Sequence, residues 1–153
     1  MSITEDRKEA LVYELGYLVL PSVAEDKLSD TVDTIKGILK KVGAKELDSE
    51  EPLKTDLAYT MSKSVGARKY VVDEAYIGWM KFEADGSVLK EVDDAMKLQE
   101  EILRHLLVKT TKETVFTFAA AIKAREDKEK ALEEAQLQAQ IEAQPVEAEK
   151  VVE

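Results

Sequence analysis

Hydrophobic and polar residues alternate along residues 12 to 20, VYELGYLVL, as they do in a β-strand whose two faces differ. Pro21 ends this strand because it has no backbone N–H to donate. The better core face carries four large residues, Tyr13, Leu15, Tyr17 and Val19. The pattern therefore predicts a first strand with this face buried.

The next segment has the spacing of an amphipathic helix. Ser22 and Glu25 stand three residues apart, as in a capping box at a helix start. Apolar residues then recur at steps of four and three, and Gly43 supplies the stop, because glycine readily adopts the left-handed conformation there. The predicted stripe is Leu28, Val32, Ile35, Leu39 and Val42.

Two further strands follow, at residues 56–62, DLAYTMS, and 75–83, AYIGWMKFE. Pro52 is predicted to break the chain before the first of them, and residues 63–74 are predicted to form a long connection. In the second strand we expect Tyr76, Met80 and Phe82 on one face with Gly78. Lys81 and Glu83 belong outside, which predicts exposed Ile77 and Trp79 beside them.

Asp85 to Ser87 form a turn before a second helix with Leu89, Val92 and Met96 inward, and residues 102–110, ILRHLLVKT, form a last strand. The order strand, helix, strand, strand, helix, strand predicts an α+β fold of the ferredoxin-like, split βαβ type. Such a fold has a four-stranded antiparallel sheet with both helices on one face. We expect a domain at 12–111, an extension at 1–11 and an acidic tail at 112–153, partly helical, whose last eight residues are disordered.

Composition removes several classes of function. The chain has 153 residues and no cysteine, which excludes disulfides and thiolate metal sites. Its single histidine nearly excludes imidazole metal sites and His-based triads. We expect no cofactor and no enzymatic activity. The net charge of −10 argues against broad electrostatic attachment to nucleic acid, so any RNA contact must be local or shared with a basic partner. No run is long enough to span a membrane and no secretory signal is present, which predicts a cytoplasmic protein.

These elements contain a set of short motifs in one collinear stretch, at about residues 12–111. They comprise a Tyr-Glu pair in the first strand, a Leu-Ala-Tyr in the second, an aromatic pair before a Glu in the third, and an Arg with a Lys-Thr end in the last. The matching residues are Tyr13 and Glu14, Leu57 to Tyr59, Trp79 to Glu83, and Arg104, Lys109 and Thr110. Together they resemble the family of the sixth protein of the bacterial small ribosomal subunit.

The resemblance implies a ribosomal structural protein without enzymatic activity. Members of that family have the ferredoxin-like fold, pair with the basic eighteenth protein of the small subunit, and bind with it to the central domain of the small-subunit rRNA. The family usually has two basic residues before Leu-Ala-Tyr and Pro after it, whereas this chain has Thr55, Asp56 and Thr60. We expect Lys63, Arg68 and Lys69, the basic residues of the 63–74 connection, to replace the two lost cations. The predicted RNA-binding residues are Lys54, Lys63, Arg68, Lys69, Arg104 and Lys109.

Leu18, Ile77 and Trp79 are predicted to form a patch that binds the protein partner. The alternative is that the tail, through Val115, Phe116 and Phe118, folds back over them. His105 shares its face with Leu103 and Leu107 and is predicted to be a packed structural histidine at the sheet edge. The acidic tail is interpreted as a solvated spacer.

Two other functions fit the order of elements. A free-standing RNA-recognition module would stack bases on sheet aromatics, but the basic-Gly-aromatic signature is missing from the third strand, where Ala75 to Gly78 stand instead. A small enzyme such as an acylphosphatase needs a phosphate-cradling loop with an early Arg, which Leu20, Pro21 and Ser22 do not supply. The ribosomal role is the leading interpretation and the RNA module is the alternative.

Overall fold

The computed structural model describes residues 10–143 and divides into two compact units between Thr114 and Val115. The first unit contains four strands and two α-helices, each α-helix preceded by a short 3-10 turn. Their bounds are β1 Leu11–Val19, α1 Leu28–Lys41, β2 Lys45–Val65, β3 Arg68–Ala84, α2 Leu89–Lys97 and β4 Ile102–Lys109. The predicted extension at 1–11, apart from its last two residues, and the predicted disorder of the last eight residues lie outside the described residues.

The four strands form one antiparallel sheet in the order β2-β3-β1-β4, with β2 and β4 at the edges. This order, with both helices packed on one face, confirms the predicted ferredoxin-like α+β fold. The predicted core face of β1 is buried against the apolar stripes of α1 and α2 and the inner side of β3. The largest fully buried side chains of this main core are Phe82, Leu15, Ile35, Met80 and Met96.

The first helix ends as predicted but begins differently. Gly43 has a φ of +79°, the left-handed conformation expected after the last turn. At the start, a 3-10 turn at Glu25–Lys27 precedes α1, and neither start position receives a side-chain cap. The capping box predicted at Ser22 and Glu25 is therefore wrong, because the chain enters the helix later than the spacing suggests.

The region between α1 and α2 departs most from the prediction. Residues 63–74 are not a long connection; β2 and β3 continue as one long hairpin that turns at Gly66 and Ala67. Gly66 has a φ of +59°, and glycine at the first turn position is typical of tight two-residue hairpins. Pro52 does not break the strand, since it falls at a register shift on an edge strand, where a missing N–H costs no ladder bond.

The far part of this hairpin, residues 57–72, extends beyond the end of β1 and is called the arm here. A large register shift between Asp56 and Met61 places four residues of β2, with Tyr59 among them, opposite Asp73 alone. The arm buries its apolar side on a second, smaller cluster whose centre is Leu20, Ala75 and Leu103. Partly buried residues around that centre are Leu18, Leu57, Met61, Tyr70 and Val72.

Leu103 joins this second cluster because β4 has a register shift opposite Leu18 and Val19. The extra residue changes the alternation, so that Ile102 and Leu107 pack with the main core. The prediction that His105 shares a face with Leu103 is therefore wrong, although it holds for Leu107.

After β4 the chain crosses the outer face of the sheet, the face without helices. The backbone N–H of Thr110 donates to the carbonyl of Val12, and Lys112 lies 3.6 Å from a carboxylate oxygen of Glu83. Residues 110–114 are called the strap here. Lys81, only 3 % exposed, donates from Nζ to the carbonyl of Glu113 at 2.9 Å. The prediction that Lys81 lies outside in solvent is wrong because the strap covers it.

The second unit contains one helix, α3 Phe118–Glu142. Thr117 caps it by accepting a hydrogen bond from the N–H of Ala120 at 3.2 Å, and none of its residues is buried. Phe116 and Phe118 meet edge to face, with ring centroids 5.6 Å apart. None of the helices within residues 10–143 combines the length and apolar character that crossing a membrane demands.

Candidate nucleic-acid interface

The side chain of Lys63, in the arm, is held in place by backbone carbonyls. Lys63 pairs with Tyr70 across the hairpin, and its Nζ donates to the carbonyls of Gln99, at 2.5 Å, and Ile102. Partial burial lowers the pKa of Lys63, and the nearby charge of Arg104 lowers it further. Lys63, which was predicted to lie in a connection, is therefore a residue of β2 whose side chain is held in place.

Arg104 lies on the outer edge of β4 and contacts the arm next to Lys63. Its Nη1 donates to the carbonyl of Ser62 at 3.2 Å and to that of Leu103 at 2.8 Å. The fold thus brings together Lys63 and Arg104, two predicted RNA-binding residues that are far apart in sequence.

The four other predicted cations do not join this pair. Lys54 forms an ion pair with Glu74 at 3.1 Å, and this hydrogen bond and charge raise the pKa of Lys54. Arg68 and Lys69 are exposed beside the hairpin turn. Lys109 is exposed and pairs with Tyr13, at the opposite end of β4 from Arg104.

Two polar residues that the sequence analysis did not assign to RNA, Lys97 and His105, line the same recess as Lys63 and Arg104. Ring Nε2 of His105 lies 2.6 Å from Oδ1 of Asp93, and Nζ of Lys97 lies 2.7 Å from Oδ2 of the same carboxylate. The hydrogen bond from Lys97 lowers the pKa of Asp93, and that with His105 lowers it further. In the sequence, the i,i+4 spacing of Asp93 and Lys97 was the signal that could have indicated this ion pair. The part of the chain that the structure describes holds no cluster of three or more potential metal ligands.

The predicted partner patch is only partly accessible. Trp79 is 4 % exposed, and its Nε1 donates to Oε1 of Glu50 at 3.3 Å, so the prediction of an exposed Trp is wrong. Ile77 and Leu18 are half-buried, and Leu18 packs under the arm. The alternative cover, through Val115, Phe116 and Phe118, stays a prediction, because these residues belong to the second unit. The sequence analysis did not predict the arm or the strap. Both come to the outer face from segments that were predicted to be loop or tail.

Comparison with known proteins identifies the family. The profile of the family described as Ribosomal protein S6 matches residues 12–109. A small ribosomal subunit protein bS6 from Prochlorococcus marinus subsp. pastoris is 30% identical over 101 residues, which are 66% of this chain and 60% of that protein. Its counterpart from Alkaliphilus oremlandii is 30% identical over 65% of this chain and 97% of its own length. The chain thus spans less than two thirds of the Prochlorococcus relative and nearly all of the Alkaliphilus one.

A solved structure agrees on the fold. The crystal structure of 30S ribosomal protein S6 from Thermotoga maritima superimposes with a TM-score of 0.55 and 20% sequence identity, covering 78% of this chain and 99% of that one. At this identity the likeness concerns the arrangement of strands and helices. It supports the observed sheet order and the placement of both helices on one face.

Proposed function

Since the chain belongs to the ribosomal protein S6 family of small-subunit structural proteins, we propose that it binds the central domain of the small-subunit rRNA together with the eighteenth protein of that subunit. The related proteins are ribosomal constituents and not enzymes, so the function is structural. In this proposal the protein works in the cytoplasm, on the ribosome, and needs no cofactor.

The observation that carries the proposal is the meeting of Lys63 of the arm with Arg104 of β4, in a protein whose net charge is −10. Broad electrostatic attraction to RNA is unfavourable for such a chain, so phosphate contacts depend on local positive charge. Arg68 and Lys69 at the hairpin tip extend the contact. Lys54 and Lys109 contribute at its margins, and Lys54 must exchange Glu74 for a phosphate to do so.

The protein partner is proposed to bind through charge complementarity and a small apolar contact. A basic partner is attracted to an acidic surface, which favours encounter more than it adds affinity. Of the predicted patch, the half-buried Leu18 and Ile77 are the proposed contact residues. Trp79 does not reach the partner directly, because its ring is buried.

Sedimentation of a cell lysate through a magnesium-containing gradient tests the proposal, with fractions probed for this protein and the run repeated in high salt. We expect stoichiometric co-migration with small subunits, weakened as salt rises because phosphate contacts release counterions. Reconstitution of the full chain with an rRNA central-domain transcript, with and without the eighteenth protein, tests the partner. Binding should be tighter when both proteins are present.

The alternative function predicts a different result. A free-standing RNA-recognition module would migrate with slow, free proteins and would bind a short single-stranded oligonucleotide without any other protein. That pair of results would contradict the ribosomal proposal and replace it.

A further inference from the structure

A recess of about 380 Å³ opens between residues 62–64 of the arm, the end of α2 and the start of β4. Its polar lining comes from three elements that are distant in sequence. The polar residues that line it are Ser62, Lys63, Ser64, Lys97, Arg104 and His105. We propose that this recess holds one phosphodiester group of an RNA strand, an inference that rests on the proposed function and adds a specific site to it.

The charge around the recess is the first argument. No Asp or Glu among the described residues lines it, although acidic residues outnumber basic ones by 32 to 22 in the chain. Asp93 lies behind the recess and pairs with Lys97 and His105. Lys63 and Arg104 instead donate to backbone carbonyls, which satisfy hydrogen bonds but carry no net charge. Glu100, whose charge acts to raise the pKa of Lys63, is not among the residues that line the recess. A bound anion would add counter-charge inside the recess itself.

The second argument concerns the repulsion between Lys63 and Arg104, which the fold holds close together even without a ligand. The pKa of Lys63 is lowered by burial and by Arg104, which means that the two positive charges repel each other in the absence of an anion. An anion between them would attract both cations and so offset that repulsion. Binding would therefore strengthen the contact between the arm and β4 as well as hold the ligand.

The chemistry of the donors favours phosphate. The hydrogen bonds of Arg104 use Nη1, and a guanidinium carries five N–H donors in a planar fork that suits two oxygens of one phosphate. Lys63 adds a point charge. The recess has room for a phosphate group with its flanking sugar atoms, and it offers no paired aromatic rings for base stacking.

Salt-dependent release from small subunits tests the inference on the full chain. Arg104→Gln and Lys63→Gln should each reduce the slope of log affinity against log salt by about 0.7 to 0.9, the contribution of one phosphate contact. Lys40→Gln is the matched control, since it removes one exposed positive charge on α1, away from the recess, and should leave the slope unchanged. Wild-type slopes in both recess variants would overturn the inference. Urea unfolding of each variant shows that it is folded, and Arg104→Lys, which keeps the charge, should restore most of the slope.

A titration of the free, isotope-labelled full chain separates failure of the site from failure of the ribosomal proposal. Dimethyl phosphate should shift the amide signals of Ser62 to Ser64 and Ile102 to His105 in the wild type, and much less in Arg104→Gln. Equal or larger shifts with acetate would overturn the inference in favour of an acidic peptide. Absence of the wild type from small subunits would contradict the proposed function alone, and this titration would still decide whether the recess binds a phosphodiester.

Discussion

The ring of Tyr17 on β1 lies directly against the backbone of Gly78, its partner on β3. A Cβ atom built on Gly78 would lie 2.5 Å from the hydroxyl oxygen of Tyr17 and 2.6 Å from its Cζ. Tyr17 is 2 % exposed, so its ring has no open space to move into. Glycine at position 78 is therefore required by the large side chain on the neighbouring strand.

Gly78→Ala is expected to lower the free energy of unfolding by about 1–3 kcal/mol, because the added methyl overpacks a buried contact. Gly37→Ala is the control, since a Cβ there meets nothing within 4 Å and the position is an exposed turn of α1. That change should stabilise the protein by about 0.5–1 kcal/mol, through helix propensity. Urea unfolding measures both, and equal shifts in the same direction would contradict the packing argument.

Tyr17→Phe should be neutral or should stabilise the protein by about 1 kcal/mol at neutral pH. Within residues 10–143 no hydrogen-bond partner reaches the Tyr17 hydroxyl, and its removal relieves a buried, unsatisfied group. Burial, with the charges of Glu51 and Glu46, raises the pKa of Tyr17 well above its usual 10.0.

Tyr17→Phe should also change how the free energy of unfolding depends on pH in the alkaline range. Above pH 10.0 the unfolded Tyr17 loses its proton while the folded one keeps it, so wild-type stability falls as pH rises through that range. Tyr17→Phe lacks this dependence. Urea unfolding from neutral pH to above pH 10.0 should give a shallower decline for the variant, and parallel curves would disprove the assignment.

Lys81→Met should release the strap without unfolding the sheet. The buried ammonium bonds the carbonyl of Glu113 and lies 3.5 Å from the hydroxyl of Thr114, and methionine keeps the chain length while removing both contacts. Amide exchange at Lys112 to Thr114 should accelerate about tenfold, the effect of losing one charge-assisted hydrogen bond. Global stability should change little, since an apolar replacement avoids the desolvation of a buried charge.

Lys112→Met is the control for the strap, because its ammonium is exposed and lies 3.6 Å from Glu83, and ion pairs open to solvent contribute little. Exchange in the strap should remain near the wild-type rate in this variant. If both substitutions accelerate exchange equally, Lys81 is not the anchor.

Asp93→Asn should make the free energy of unfolding depend less on pH in the acid range. Lys97 and His105 depress the pKa of Asp93 below its usual 3.8, so the carboxylate stabilises the native state above that pH, and the gain is lost as pH falls through the folded pKa. Asp33→Asn, an exposed change on α1, is the control. Urea unfolding between neutral pH and values below 3.8 should show a flatter dependence for Asp93→Asn only.

The main core could be predicted because its elements obey a regular period. The alternation of β1 from Tyr13 to Val19 and the stripe of α1 from Leu28 to Leu39 both repeat without interruption, and both are buried as expected. The arm could not be predicted in this way. Its strands leave the edge of the main core, carry charged and small residues on the exposed side, and change register between Asp56 and Met61.

The recess and the buried Lys81 depend on contacts that no local pattern encodes. Lys63 meets the carbonyl of Ile102 only because the arm returns over the end of β1, and Lys81 is buried only because the chain crosses the sheet after β4. Alternation correctly placed Lys81 on the outer side of β3. It gave no information about a later segment that would cover that side.

The interrupted pairing of β2 has a consequence for solubility. A 21-residue strand at the edge of a sheet would offer a long row of unpaired backbone groups on which another chain could add a strand and start aggregation. Here three register shifts and Pro52 divide that edge into short segments that bend away from one another. The features that hid the strand from sequence patterns therefore also make it harder for another chain to pair with this edge.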